Sequence, residues 1–305
     1  MLGSRQRNFK ILDFAEKLAT DNLYGYERSM TIRTKELTIE AGRAESQYWK
    51  DIWRYRELFY FLAWRDILVR YKQTVIGVAW ALIRPFLTMI VFTIVFGNLA
   101  KLPSEGAPYP ILVFSAMLPW QFFANSLSES SNSLISNANL ISKVYFPRLV
   151  VPTSAVVVSF VDFLISGSIL VGLMAWYNFV PSWRIVMLPV FIAIAFVASS
   201  GCGLWLCSLN VKYRDFRYIV PFIVQFGLYI SPVGFSSSIV PEKWRLLYSI
   251  NPMVGVIDGF RWAILGGESQ IFLPGFLLSM GLVFFIFVTG IQYFRKMERT
   301  FADVI

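Results

Sequence analysis

Six apolar runs dominate this sequence, at about 75–97, 110–128, 149–176, 185–209, 218–235 and 271–294. A bilayer core takes about 20 apolar residues in a helix. Inside it, every backbone polar group must be satisfied within the protein, so runs of this length fold as membrane-crossing helices. The second run is short and carries Pro119 and Gln121; the fifth is short, with Pro221 and Pro232 near its ends. Only 15% of the 305 residues are charged, against about 25% in an average soluble domain. A water-soluble globule is excluded. The expectation is an all-α integral membrane protein with six transmembrane helices spread over 75–294.

The same residues exclude several chemistries. There is no histidine, which removes serine–histidine hydrolysis, cysteine–histidine proteolysis and HExxH metal sites. Cys202 and Cys207 lie five apart in an apolar run. They fit neither a zinc site nor a secreted disulfide framework. No phosphate-binding loop of the G-x-x-x-x-G-K-[ST] kind occurs, so no cofactor or metal is expected in this chain. The net charge of +9 reads as basic loops against an anionic leaflet rather than as nucleic-acid binding.

Residues 1–47 are polar and mixed in charge. Arg5, Arg7, Lys10, Asp13 and Glu16 interrupt every candidate signal-peptide core, so a cytoplasmic extension is expected there. In 48–74, Trp49, Ile52, Trp53, Tyr60, Ala63, Trp64 and Ile67 share one helical face, with Lys50, Arg54, Glu57, Arg65 and Lys72 opposite. A tryptophan-rich face opposite a basic one marks a helix lying in the membrane interface. The alternative is an amphipathic helix packed on a soluble domain. Arg56, Asp66 and Arg70 fall off the pattern, which predicts a kink.

Lysine and arginine orient the domain. With a cytoplasmic N-terminus, 22 of the 28 fall in inside segments. Lys212, Arg214 and Arg217 crowd one short loop, and Arg295, Lys296 and Arg299 open the tail at 295–305. Both termini are expected in the cytoplasm.

Two connections are not ordinary loops. Residues 129–147 place Leu134, Ile135, Ala138 and Ile141 at helical spacing before Pro147, which predicts either a polar linker or a short helix facing a partner. Residues 236–270 are too polar to span and too apolar for a loop. Asn251-Pro252 divides them. They read as two short helices re-entering the outer leaflet between the fifth and sixth spans, or as two helices flat on its surface.

The stretch 65–97 (RDILVRYKQTVIGVAWALIRPFLTMIVFTIVFG) resembles the membrane subunit of ABC-2-type polysaccharide exporters. So do 140–152 (LISKVYFPRLVVP), Tyr213-Arg214-Asp215, Asn251-Pro252 and Gly259-Phe260-Arg261, in that order and spacing. The likeness covers about 48–300. Arg84 stands before Pro85 where the family pattern has a glutamine.

The resemblance implies the permease of an exporter of O-antigen-like, lipid-linked polysaccharide in the inner membrane. Two copies of the permease would pair, and two copies of a separate ATPase subunit, holding ATP and magnesium, would bind beneath. The chain itself would not be an enzyme. A teichoic-acid-like polymer, a lipid or a drug is the alternative cargo.

In that frame Leu134, Ile135, Ala138, Ile141 and Lys143 are the candidate ATPase-coupling helix. Aromatic rings pack on sugar C–H faces. Trp80, Phe86, Phe92, Phe96, Tyr109, Phe114, Trp120, Phe122 and Phe123 are therefore candidates to line the channel, against lipid contact or core packing. Asp162 is ionisable and mid-span; it either lines the channel or pairs with Arg84. Arg65, Arg70 and Lys72 either receive a lipid diphosphate or anchor to membrane lipid headgroups. Trp244, Leu247, Tyr248, Asn251 and Pro252 form a candidate external gate, closing by dewetting. Asp162, Asp215 and Asp258 are isolated in sequence, which argues against a polymer-handling enzyme.

Overall fold

The structure, a computed structural model, describes residues 45–72, 77–267, 269–298 and 300–301. Every regular element among these residues is a helix. The extension expected over 1–47 lies outside the described residues except for 45–47.

Two helices lead in, α1 (Glu45–Arg54) and α2 (Arg56–Lys72). The predicted kink is a break at Tyr55, next to the first off-pattern residue, Arg56. Trp49, Trp53, Tyr60 and Trp64 are exposed, whereas Leu62 and Ala63 pack inward. Ala63, expected on the tryptophan face, thus turns away from the exposed rings.

The long helices follow. They are α3 (Gly77–Phe92), extended by a π-helical turn at Thr93–Leu99, and α4 (Tyr109–Ser136). After a short α5 (Ala138–Lys143) come α6 (Val150–Trp176), α7 (Leu188–Lys212), α8 (Phe216–Ile230) and, last in the chain, α11 (Leu273–Glu298). Five of these segments are long and apolar enough to cross a membrane, and α8 is a shorter apolar helix. Its 15 residues reach about 22 Å at 1.5 Å per residue, short of a core of about 30 Å. The helix stops because Ser231 is extended, as the residue before a proline tends to be.

The middle of the bundle is α4, which packs on α6, α7 and α8 and is buried almost throughout. It runs eight residues past the boundary expected at 128. Of the two readings of 129–147, linker or short helix, its first residues through Ser136 take the helical one, as a continuation of α4. A Cβ on Gly203 of α7 would lie 2.7 Å from the Ser130 hydroxyl, and small side chains let two helices approach this closely. On its other side α7 meets α11. A Cβ on Gly201 would lie 2.7 Å from the Phe287 Cα, and one on Gly290 2.6 Å from the Gly201 carbonyl oxygen.

A large apolar core fills the bundle. A smaller one joins α2, the end of α4, α5, the turn at Phe146–Leu149, the ends of α7 and α11 and the residue Phe301 beyond it, through Leu62, Leu134, Ile141, Phe146, Phe294 and Phe301. Lys143, Arg148, Lys212 and Arg295 lie there, and we refer to it as the basic end. The opposite end carries two more helices, α9 (Glu242–Tyr248) and α10 (Pro252–Ile264).

Candidate substrate path and coupling surface

The nine aromatics expected along a channel divide by helix. On α3, Trp80 is 60% exposed and Phe86 is 42% exposed. Phe92 is buried and packs edge-on against Phe96 at 5.4 Å. Tyr109 is half-buried and donates to the Gly234 carbonyl at 2.8 Å. Phe114, Trp120, Phe122 and Phe123 are buried, and Phe122 sits among Phe160, Phe163 and Phe196. These four rings are core rather than lining, because α4 is enclosed by α6, α7, α8 and α10.

A second aromatic face takes their place. Tyr218, Phe222, Phe226 and Tyr229 are all exposed along α8, and Phe222 stacks on Phe226 at 5.5 Å. Their four-, four- and three-residue spacing is that of one helical face, with the buried Val220 on the other. The signal was present in the sequence but hidden by the two prolines, which drew attention to the shortness of the run. The buried Phe92 of α3 lies 6.3 Å from Tyr229, at the edge of this face.

Asp162 does not pair with Arg84. It accepts from Arg70 and from the Tyr71 hydroxyl, and Arg70 also bonds Glu129. This network ties α2 to α4 and α6. Burial works against the Arg70 charge, but Asp162 and Glu129 outweigh it and hold the guanidinium above its ordinary pKa. Arg65 is likewise engaged, by Asp66 and by Asn137 at 2.9 Å. A cavity of about 350 Å³ lies among these groups, lined by Arg65, Asp66, Arg70, Glu129 and Asn137. Two guanidiniums there face three carboxylates, counting Asp162 behind Arg70, so the site carries no excess positive charge for a diphosphate. Of the three basic candidates, Lys72 remains exposed.

At the basic end the coupling residues also divide. Leu134 and Ile141 are buried in the smaller core, Ala138 is half-buried, and Ile135 and Lys143 are exposed. The helical spacing brings Leu134 and Ile141 inward, against the chain itself. The outward surface consists of Ile135, Asn139, Ser142, Lys143, Val144 and Tyr145. It is braced from below. The Tyr55 hydroxyl donates to the Tyr145 carbonyl at 3.3 Å. Glu298, at the end of α11, accepts from the Arg148 backbone N–H at 2.7 Å and from the Tyr48 hydroxyl at 2.8 Å.

At the other end, Trp244 and Leu247 of α9 are exposed, and the Tyr248 hydroxyl donates to the Ile230 carbonyl at 2.7 Å. Asn251 is more than a break. Its side chain accepts from the Met253 N–H at 3.0 Å and donates to the Ser231 hydroxyl at 2.9 Å, while Pro252 opens the helix where a missing N–H costs nothing. Helix α10 is buried against α4, α7 and α11.

Gly259-Phe260-Arg261 explains that burial. A Cβ at 259 would lie 2.2 Å from the Phe191 ring, and Phe260 packs edge-on against Phe163. Arg261, only 1% exposed, donates to the carbonyls of Phe235 (2.7 Å), Val233 (3.1 Å) and Leu112 (3.4 Å).

The pattern that defines the ABC-2 type transporter family matches residues 57–265. The chain belongs to that family. The match runs from α2 to the end of α10, so it takes in α3, the exposed face of α8, the surface around α5 and the α9–α10 segment. An O-antigen export system permease protein RfbA of Klebsiella pneumoniae is 28% identical over 242 residues, covering 79% of this chain and 92% of that one. RfbA of Myxococcus xanthus is 28% identical over 215 residues, 70% of this chain and 82% of that one. The polysialic acid transport protein KpsM of Escherichia coli is 20% identical over 240 residues, 77% and 91% of the two chains. As an ABC-2 family member with five long apolar helices, the chain is a multi-pass membrane protein and a transporter membrane subunit.

Proposed function

We propose that this protein is the permease subunit of an ATP-driven exporter that moves a lipid-linked, O-antigen-like polysaccharide across the inner membrane. The observation that carries the reading is the exposed aromatic face of α8, Tyr218, Phe222, Phe226 and Tyr229, in a chain similar to permeases named for O-antigen and polysialic acid. Stacked rings offer a sugar chain many weak, sequence-tolerant contacts, which suits a polymer that must keep moving.

In this reading two copies pair so that these faces enclose the path. Helix α8 is the sixth crossing, completed by the turn at 231–235. Both termini are cytoplasmic, and α1–α2 lies in the inner interface. The α9–α10 segment is a re-entrant hairpin that closes the outer end. Two ATPase subunits, which hold ATP and magnesium, bind the surface built on α5.

That surface gives the test. A short exposed element can seat in a groove on a partner. Lys143→Glu combined with Tyr145→Asp is expected to abolish copurification of the ATPase subunit while the permease inserts normally. Leu134→Asp is expected to lower the yield of folded permease, since it buries a carboxylate in the smaller core. Full copurification by the first variant would refute the docking surface.

A further inference from the structure

The loop between α3 and α4 holds Glu105 in left-handed backbone, φ 55°, a conformation that a non-glycine residue adopts at a cost and keeps only when its surroundings hold it. The surroundings here are the two ends of the α9–α10 hairpin. One carboxylate oxygen of Glu105 accepts from the Ser236 hydroxyl, just before α9, and the other from the Ser269 hydroxyl, just after α10. Both serines are buried. Next to them the Ser237 hydroxyl donates to Asp258 of α10 at 2.8 Å. Two acceptor oxygens on one side chain thus close the hairpin at both its roots. Between those roots α10 is packed in the core, while α9 exposes Trp244, Leu246 and Leu247 and bonds α8 through Tyr248.

We propose that Glu105 is the positioning residue that fixes the α9–α10 hairpin, a latch that joins both hairpin roots to the α3–α4 loop and whose release frees α9 to swing. Only the consequence for permeability rests on reading the hairpin as the outer closure; the latch itself does not. Alanine at 105 removes both acceptors. Ser236→Ala with Ser269→Ala removes both donors and leaves the carboxylate. Ser104→Ala, in the same loop but outside the latch, is the control.

Amide hydrogen exchange of the full chain in detergent reads the result. Glu105→Ala and the double serine variant are each expected to speed exchange over 236–250 by about tenfold, with α6 and α7 unchanged and Ser104→Ala equal to the unmodified protein. Unchanged exchange over 236–250, or an equal rise in every helix, would overturn the latch. Resting conductance of the permease–ATPase complex in planar bilayers is read in parallel and is expected to rise in both variants. Faster exchange without added conductance supports the latch and overturns the closure reading.

Discussion

Methionine in place of Arg261 is expected to destabilise the protein by about 3–5 kcal/mol, the cost of breaking one side of a buried charge network. Methionine keeps the apolar stem but not the guanidinium, so the loss combines the missing charge with the space it leaves. Three carbonyls, on Leu112, Val233 and Phe235, lose a charged donor. The Val233 carbonyl stays buried, where an unmet acceptor costs about 1–3 kcal/mol, while the Leu112 carbonyl keeps the Ser115 hydroxyl. Asp258 and Glu105, which supply countercharge to the guanidinium, lose it as well. Lysine at 261 keeps the charge as a compact point and cannot span carbonyls on two segments with a planar fork, so it should recover only part of the stability. Unfolding of the detergent-solubilised protein checks this. A methionine variant within about 1 kcal/mol of the unmodified protein would mean that Arg261 merely occupies space.

The second large effect lies on the α7–α11 seam. Alanine at Gly201 or Gly290 is expected to cost about 1–3 kcal/mol, and leucine more, because overpacking against a backbone cannot be relieved by a rotamer change. The obstacles are the Phe287 Cα and the Gly201 carbonyl oxygen, both main chain. Gly281, on the same α11, has open space where its Cβ would go, and Gly281→Ala is expected to leave stability unchanged. Equal losses at all three positions would assign the effect to glycine's backbone freedom rather than to close approach. The bond from Trp205 to Thr289 at 3.1 Å and the Trp205–Tyr293 stack at 4.4 Å span the same seam and should loosen with it.

These seams show what was legible in the sequence and what was not. Run length and the bilayer's demand on the backbone placed the long helices to within a few residues, except at the end of α4. Ser130 and Ser133 lie in 129–147, which polarity left open between a linker and a short helix; both extend α4, and the small side chain of Ser130 is what lets α4 approach Gly203. Periodicity found the stripe of Leu134 and Ile141 but could not say which side of it faces protein, since an inward and an outward apolar face have the same spacing. The α4 aromatics failed for the same reason. The sequence offered Asp162 either the channel or Arg84 as its surroundings. Its partner, Arg70, lies 92 positions away on a helix that no local pattern brings against α6. Gly259-Phe260-Arg261 could be noticed as a motif, but its purpose depends on carbonyls from two other segments.

The account's central claim is tested most directly by ATP-dependent movement of a lipid-linked glycan in proteoliposomes holding the permease and its ATPase subunit. The unmodified permease is compared with a variant carrying alanine at Tyr218, Phe222, Phe226 and Tyr229. The unmodified complex should move the glycan only with ATP. The variant should retain its ATPase subunit and run slower by about tenfold or more, each ring singly costing only about two- to threefold. No ATP-dependent glycan movement by the unmodified complex, or movement at the same rate by the variant, would contradict the account.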